Sequence, residues 1–193
     1  MTDPELIEGI LRRDRSAFQY LVTKYQKQVI KTAYYFTGNM EDAEDLSQEI
    51  FLDVIRSMNS FKRSSSLATW IYRITVNKSL NMTRKTQRQG IMVRIESLFR
   101  HSPGNDIRHE TEPSAMTTDF DQKEKRELLH AAIRRLPENQ RIAFVLHKFD
   151  DQSYKQTADI MNIGLPAVES LIHRAKLNLQ KHLKHQFPEF QKS

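Results

Sequence analysis

The 193-residue chain contains no cysteine, and only five glycines and six prolines. The absence of cysteine excludes disulfides, thiolate zinc sites and cysteine nucleophiles, and it suits a reducing compartment. The scarcity of glycine and proline excludes collagen-like and low-complexity chains. With 38% apolar and 28% charged residues, the composition predicts a folded, mostly helical chain of one domain or two small ones.

Long apolar runs are also missing. No stretch approaches the roughly 18 consecutive apolar residues that a membrane-spanning helix needs. The first five residues, MTDPE, show neither the basic region nor the apolar run of a signal peptide. We therefore expect a cytoplasmic protein that makes no membrane contact of its own.

Familiar catalytic motifs are absent from the sequence. It contains no glycine-rich phosphate loop, no GxSxG elbow and no HExxH pair. His182 and His185 lie three residues apart, and we interpret them as part of a solvated helix tail rather than as a metal pair. We expect no catalytic residue, no metal and no cofactor.

Positive charge is concentrated in two segments. Residues 61–100 hold nine basic side chains and one acidic one, and residues 141–193 hold eight and five. Acidic side chains outnumber basic ones in the other two segments, residues 1–60 and 101–140. Basic side chains that neutralise phosphates release counterions, so this pattern predicts a polyanion held at two points. Charge alone is equally compatible with solvated helix faces.

Helical periodicity runs through most of the chain, and no segment alternates as a strand would. The apolar residues from Phe18 to Phe36 follow one helical face until Gly38, which predicts a helix end. Asn39 is the predicted N-cap of the next helix, which runs to about Met58. The first third of the chain is therefore expected to form a pair of helices.

The helix after Asn39 has an acidic face. Residues 41–53 contain six acidic side chains and no basic one. The residues predicted to be buried are Ala43, Leu46, Ile50 and Val54, widened by Phe51, Ile55 and Met58. The opposite side presents Asp45, Gln48, Glu49 and Leu52. Such a face suits a basic and partly apolar partner surface, and an ordinary solvated face is the alternative.

A serine-rich loop and a helix with the single tryptophan follow. Residues 60–66 read SFKRSSS, and the next helix is expected to bury Leu67, Trp70, Ile71 and Ile74. Polar and basic residues recur on it at steps of three or four, namely Arg73, Asn77, Asn81, Arg84 and Arg88.

Periodicity weakens from residue 89 to about 120, which predicts a linker, with a short helix near residues 91–99 as an alternative.

The last third predicts a helix-turn-helix. Ser153 is placed to cap a helix, residues 162–164 form a tight turn, and Pro166 opens the final helix. This geometry is typical of proteins that insert a helix into the major groove of DNA.

Three segments resemble the extracytoplasmic-function (ECF) class of bacterial sigma factors. DAEDLSQEIF at residues 42–51 is similar to the family's DAEDLvQEvF signature, and FKRSSSLATWIYRI at residues 61–74 is similar to its second motif. The third comprises LPENQR at 136–141, SYKQTA at 153–158 and HRAK at 173–176. They occur in the family's order and cover nearly the whole chain except the linker.

The resemblance implies an all-α fold of two small helical domains joined by a flexible linker. We assign residues 1–88 to sigma region 2, 89–120 to the linker, 121–187 to sigma region 4 and 188–193 to a tail. The implied function is to bind core RNA polymerase, direct it to promoters and help melt the minus-ten element, while the polymerase performs the chemistry.

The resemblance also implies the partners: the beta-prime clamp helices and the beta subunit of core RNA polymerase, promoter DNA, and an anti-sigma factor that wedges between the domains or clamps them together. The expected polymerase contacts are Asp45, Gln48, Glu49 and Leu52. The expected minus-ten contacts are Phe61, Lys62, Arg63, Ser64, Ser65, Ser66, Trp70, Arg73, Asn77, Asn81, Arg84, Lys85 and Arg88. The expected minus-thirty-five contacts are Pro166, Ala167, Glu169, Ser170, His173, Arg174 and Lys176.

Several of these assignments have alternatives, and for the polar and basic residues of the tryptophan helix the alternative is a merely solvated stripe. For Trp70, core packing is favoured over stacking on a flipped base. The final helix departs from the family, because Gly164, Ala167, Glu169 and Leu171 stand where relatives usually carry hydroxyl or basic residues. Glu169 either accepts from a cytosine amino group or repels phosphate, and a good base contact contributes about 1–3 kcal/mol of discrimination.

Two other classes of protein compete with this interpretation. A stand-alone repressor or activator binds duplex DNA without polymerase, usually as a dimer on a palindrome, and the acidic helix argues against it. An enzyme acting on nucleic acid needs carboxylates arranged for metal ions. The basic segment at residues 61–100 contains a single acidic side chain, Glu96, which argues against that class.

Overall fold

The computed structural model describes residues 1–99 and 119–186, which form eight α-helices and no strand. The helices are α1 (Asp3–Leu11), α2 (Arg15–Thr37), α3 (Met40–Ser57), α4 (Leu67–Phe99), α5 (Asp119–Arg134), α6 (Glu138–Lys148), α7 (Tyr154–Met161) and α8 (Leu165–Gln186), with a single 3-10 turn at Met58–Ser60. The all-α expectation is confirmed for this part of the chain.

Helices α1 to α4 enclose the first core. Leu21 and Val29 of α2 pack with Ile50 and Val54 of α3 and with Ile71 of α4. The predicted helix boundaries hold here, since Gly38 ends α2 with a left-handed backbone (φ 75°) and the Asn39 side chain accepts from the first backbone N–H groups of α3.

Helix α1 was missed in the sequence analysis. The Thr2 hydroxyl accepts from the backbone N–H of Glu5, and the Glu5 carboxylate accepts from the backbone N–H of Thr2. This reciprocal capping box starts a helix whose Leu6, Ile7 and Ile10 are buried in the first core.

Helices α5 to α8 form the second helical unit. Ser153 and Gln156 make a capping box at the start of α7, as predicted for Ser153, and Asn162 ends α7 in the left-handed region (φ 54°). Helix α8 begins at Leu165 with Pro166 at its second position, so the predicted helix-turn-helix is present. Val168 and Ile172 of α8 face Ala143 and Ala158.

The two helical units share a second core, which the sequence analysis did not predict. Phe36, Tyr72, Val76 and Leu80 of α2 and α4 are buried in one cluster with residues of α5 to α8, including Ile133, Leu136, Ile142, Val145 and Ile160. We call this contact between the two units the seam. In it, the Arg141 guanidinium lies 5.1 Å from the centre of the Phe36 ring. Apolar burial therefore joins the two units directly.

The predicted linker overlaps two helices, because α4 continues to Phe99 and α5 starts at Asp119. A helix over residues 91–99 was the alternative considered, and the structure has it as the end of α4. The rest of the linker and the tail at 188–193 lie outside the described residues. The domain boundaries themselves stay a prediction.

Candidate polymerase and nucleic-acid interfaces

The α3 face, defined as Asp45, Gln48, Glu49 and Leu52, is exposed as predicted. Its four side chains point away from the buried Leu46, Ile50 and Val54. Leu52 is 49% exposed despite its apolar side chain. The structure therefore presents a leucine surrounded by polar and acidic groups on one side of α3.

Lys78 of α4 restrains one edge of the α3 face. Its ammonium lies 3.0 Å from a Glu49 carboxylate oxygen and 2.8 Å from one of Asp53. These two partners raise the pKa of Lys78, with the hydrogen bond to Asp53 as the largest cause. The role of Lys78 could not be predicted from the sequence, because its contacts join residues 25 or more positions apart.

The serine-rich loop lies between the 3-10 turn at Met58–Ser60 and α4, and most of its side chains are accessible. Lys62, Arg63 and Ser64 are exposed, and Arg63 has a left-handed backbone (φ 56°). Ser66 instead caps α4, since its hydroxyl accepts from the backbone N–H of Thr69 at 3.1 Å. Ser65 is half-buried.

Phe61 and Trp70 pack against each other at the edge of the first core. Their ring centres lie 4.9 Å apart, and both rings are half-buried. This placement supports the core-packing alternative for Trp70, because the packed ring pair leaves only part of either surface accessible.

The α4 stripe, defined as Arg73, Asn77, Asn81, Arg84, Lys85 and Arg88, follows the part of α4 that faces the second helical unit. Asn77 and Asn81 line a cleft of 520 Å³ together with Glu138, Asn139 and the end of α7. Lys85 and Arg88 lie further along α4 and are exposed. Helical periodicity correctly predicted that these residues share one face of α4, but it did not predict what lies opposite them.

Arg73 and Arg84 both contact the second helical unit. Arg73 donates to the backbone carbonyls of Ile160 at 3.3 Å and Asp159 at 2.5 Å. Arg84 donates from two guanidinium nitrogens to the two carboxylate oxygens of Glu138, at 3.0 and 2.5 Å. Both cations thus have acceptors within the chain.

The α8 face, defined as Pro166, Ala167, Glu169, Ser170, His173, Arg174 and Lys176, is open. All seven residues are exposed, while Val168, Ile172, Ala175 and Leu179 on the other side of α8 are buried. The structure therefore brings the predicted contact set together on one surface of the second helix of the helix-turn-helix.

A buried carboxylate lies at the seam between the two units. Asp150 is 3% exposed, and the Thr32 hydroxyl of α2 donates to it at 2.7 Å. Burial raises the pKa of Asp150 to about 6, although the Thr32 hydrogen bond and nearby Lys31 act in the opposite direction. Lys31 also donates to the Phe149 carbonyl, and Tyr35 stacks on the Phe149 ring at 3.9 Å.

Two absences hold for the described part of the chain. Residues 1–99 and 119–186 contain no group of three or more histidine, aspartate and glutamate side chains that could hold a metal ion. Among the same residues, no helix combines the length and apolarity needed to cross a bilayer.

These features define the class of protein: an all-helical DNA-binding protein with a helix-turn-helix, a separate basic stripe and an acidic surface. Comparison with known proteins gives the family. The Sigma-70 region 2 model matches residues 21–89, and the Sigma-70 region 4 model matches residues 126–179.

Curated relatives match along nearly their whole length. The chain is similar to the RNA polymerase sigma-H factor of Pseudomonas aeruginosa, with 29% identity over 94% of this chain and 93% of the relative. It is also similar to the ECF RNA polymerase sigma-E factor of Escherichia coli K12, with 30% identity over 91% of each.

Solved structures share the fold. CnrH, in a complex with the cytosolic domain of CnrY, matches with a TM-score of 0.68 and 19% identity over 96% of this chain and 99% of that chain. The sigma factor RpoE from Bartonella quintana, in a co-crystal with the anti-sigma factor NepR, matches with a TM-score of 0.59 and 21% identity over 86% and 96%.

The chain belongs to the ECF sigma factors. It acts in promoter-directed initiation of transcription, as a DNA-binding partner of RNA polymerase. Sigma factors are initiation factors rather than enzymes, and their family works with RNA polymerase in the cytoplasm.

Proposed function

We propose that this sigma factor docks on the beta-prime clamp helices of core RNA polymerase through its α3 face. The observation that carries this assignment is the position of Asp45, Glu49 and Leu52 on one exposed surface directly opposite the first core. Acidic groups steer the approach of a basic partner, and the exposed leucine adds apolar contact once the surfaces meet. The contact forms in the cytoplasm.

Promoter DNA is bound at two surfaces. The serine-rich loop, with Phe61, Lys62, Arg63, Ser64, Ser65 and Ser66, and the α4 stripe hold the minus-ten element. The loop's exposed cations contact phosphates, and the loop forms the edge of a small cleft of 270 Å³ that Thr69 and Arg73 also line. Holding the melted strand there offsets the few kcal/mol needed to unstack a base.

The α8 face lies in the major groove at the minus-thirty-five element. Ala167, Ser170 and His173 are placed near the start of α8, where recognition helices contact base edges, and Arg174 and Lys176 contact the backbone. A solvent-open surface with its apolar side fully buried supports this role.

An anti-sigma factor is the proposed regulator. Two proteins of the same fold, CnrH and RpoE of Bartonella quintana, occur in complexes whose partners are CnrY and the anti-sigma factor NepR. We assign this chain a partner of the same kind, which contacts both helical units.

The proposed function is tested by co-elution with bacterial core RNA polymerase in size-exclusion chromatography. Reversing two charges of the α3 face with Asp45→Arg/Glu49→Arg is expected to abolish co-elution. The matched control is Glu8→Arg/Glu127→Arg, which makes the same change of net charge at two exposed positions elsewhere and should co-elute normally. A folded wild-type chain that does not bind active core enzyme would instead support a stand-alone regulator.

A further inference from the structure

A small pocket lies on the seam, away from the polymerase and DNA surfaces assigned above. Its volume is 170 Å³, which is room for several water molecules or one small ion. Arg134 of α5 and Arg141 of α6 line it from the second helical unit, and Asp42 of α3 lines it from the first. We call it the seam pocket, and its other lining residues are Phe36, Thr37, Met82, Thr83 and Thr86.

Arg141 brings a buried positive charge to the seam pocket. The residue is 7% exposed, and its Nε has no hydrogen-bond partner among the described residues. None of the ion pairs within residues 1–99 and 119–186 includes Arg141. Burial lowers the pKa of Arg141, the charges of Arg134 and Arg84 act in the same direction, and Glu138 opposes them. Glu138, however, is already bound to Arg84 through both carboxylate oxygens.

A buried charge is costly unless a counter-charge or a set of hydrogen bonds accompanies it. The Phe36 ring, 5.1 Å from the Arg141 guanidinium, offsets only part of that cost by a cation–π contact. The seam pocket is the space that this guanidinium lines. An anion in the pocket would therefore supply the counter-charge that the chain does not provide.

Arg134 adds a second cation to the same space. Its guanidinium lies against the backbone at the end of α2, where a side chain on Gly38 would clash with it. The glycine thus leaves the room in which the Arg134 guanidinium reaches the pocket. Two guanidinium groups offer several N–H donors to one small anion, and oxyanions such as phosphate are bound in this way.

The other polar groups of the seam pocket are acceptors. Asp42 is half-buried, and the ion pairs of the described residues do not join it to either arginine. The hydroxyls of Thr37, Thr83 and Thr86 each donate to a nearby backbone carbonyl, so towards a ligand their oxygens can only accept. A ligand that suits the whole pocket therefore combines anionic oxygens with an O–H donor.

This requirement separates the common oxyanions. Sulfate and the phosphodiesters of DNA carry no O–H group at neutral pH, so the Asp42 carboxylate repels them. A phosphomonoester is mostly a dianion without an O–H group above its second pKa of about 6. Inorganic phosphate keeps at least one O–H group at neutral pH, together with charged oxygens for the arginines.

We propose that the seam pocket binds inorganic phosphate, with its charged oxygens on Arg134 and Arg141 and its O–H group donating to Asp42. The inference goes beyond the proposed function, because it gives the chain a small-molecule ligand at residues that contact neither polymerase nor promoter DNA in the assignments above.

Isothermal titration calorimetry on the full chain tests the proposal at about pH 7.5, with the ionic strength held constant by chloride. The probes are inorganic phosphate, sulfate and dimethyl phosphate, a diester. Phosphate is expected to bind at one site, and the other two should bind at least about tenfold more weakly, since neither can donate to Asp42. Binding is measured rather than thermal stability, because sulfate and phosphate both stabilise folded proteins without a specific site.

Two pairs of variants locate the site. Arg134→Gln should weaken phosphate binding by about tenfold or more, because it removes a charged donor. Its matched control is Arg135→Gln, the same charge change at an adjacent exposed residue that does not line the pocket, and it should bind phosphate like wild type.

Asp42→Asn tests the selection of phosphate over sulfate. An amide can donate to a sulfate oxygen, so this variant should bind sulfate about as tightly as phosphate. Glu41→Gln removes the same charge at the neighbouring exposed position and should keep the preference for phosphate. Circular dichroism establishes that each variant is folded.

Three results would overturn the phosphate site. They are no phosphate binding by the folded wild-type chain up to millimolar concentration, equal affinity of the wild-type chain for sulfate and phosphate, and phosphate affinity that Arg134→Gln leaves unchanged. Co-elution with core polymerase is a separate readout. If it is retained when phosphate does not bind, the proposed function stands and only the phosphate site fails.

Discussion

The α4 stripe and the α8 face differ in a way that their charges alone do not indicate. The stripe contains four cations and no acid, yet its Arg73 and Arg84 are engaged within the chain. The α8 face includes Glu169 among its members, yet all of it is open to solvent. The capacity of a basic surface to bind DNA therefore depends on which acceptors already hold its cations.

The cause of this difference is the apolar surface next to each set of residues. Tyr72, Val76 and Leu80 adjoin the stripe, and they are buried in one cluster with Phe36 of α2 and residues of α5 to α8. The apolar residues of α8 are buried on the side opposite its exposed face. Burial of apolar surface thus brings region 4 over the stripe but leaves the α8 face free.

The largest expected effect tests the seam itself. Leu80 is 5% exposed and belongs to the shared core, so Leu80→Ala should lower the free energy of unfolding by about 2–5 kcal/mol. Leu177→Ala is the control, because Leu177 is 51% exposed on α8, and its cost should stay within about 0.5 kcal/mol. Urea unfolding followed by circular dichroism measures both. A cost for Leu80→Ala as small as that of the control would show that the seam does not form.

The sequence predicted the features of single helices and missed those that join distant segments. Asn39, Ser153 and Gly38 act at helix ends as expected, since capping depends on neighbours within a few residues. The α3 face was predicted because the helical spacing of apolar residues shows which side of a helix is buried and which is exposed. Helix α1 was missed although its capping box, Thr2 with Glu5, is readable in the sequence.

The contacts between the α4 stripe and the second helical unit could not be predicted from the sequence. Arg84 and Glu138 are 54 residues apart, and Thr32 and Asp150 are 118 apart, so no periodicity relates them. Ser66 shows a different limit: its residue type suits either a base contact or a helix cap, and the structure uses it as a cap. Tertiary contact decides such cases.

The next largest effect is a pH dependence of the free energy of unfolding, which arises at the seam. The folded-state pKa of Asp150 is raised from 3.8 to about 6, so the folded chain binds the proton more tightly than the unfolded chain. This contribution to stability is fully present below about pH 4 and is lost as the pH rises through about 6, by about 2–3 kcal/mol. The groups around the carboxylate are Lys31 and Thr32 of α2, Tyr72 of α4 and neighbouring Asp151.

Asp150→Asn is expected to remove that dependence, because an amide does not titrate. The free energy of unfolding is measured for wild type and variant at about pH 5 and at about pH 7.5. Wild type should lose stability between these two pH values, so Asp150→Asn should become more stable relative to wild type at the higher pH. A constant difference would mean that Asp150 titrates near its ordinary pKa, and hence that the seam does not bury it.

A smaller effect distinguishes the covered surface from the open one directly. In the free chain, Arg174→Ala should reduce the slope of log affinity for a DNA duplex against log salt by about 0.9, the value for one lost phosphate contact, whereas Arg84→Ala should leave it unchanged. In the holoenzyme at a promoter, Arg84→Ala should also lower the slope, by about 0.7–0.9. Fluorescence anisotropy across a salt series measures both. Equal slopes for the two variants of the free chain would remove the distinction between the surfaces.

The smallest effect concerns the acid on the open face. Glu169 is exposed and shares one side of α8 with His173 and Lys176, so its charge opposes that of the groups placed to meet phosphates. Because water and salt screen an exposed charge, Glu169→Gln should tighten binding to duplexes of any sequence by less than about fivefold. If Glu169 instead accepts from a cytosine amino group, the variant will lose about 1–3 kcal/mol on a duplex with that C·G pair and nothing on a duplex without it. We expect the uniform gain, because no ion pair among the described side chains holds the Glu169 carboxylate in place against a base edge.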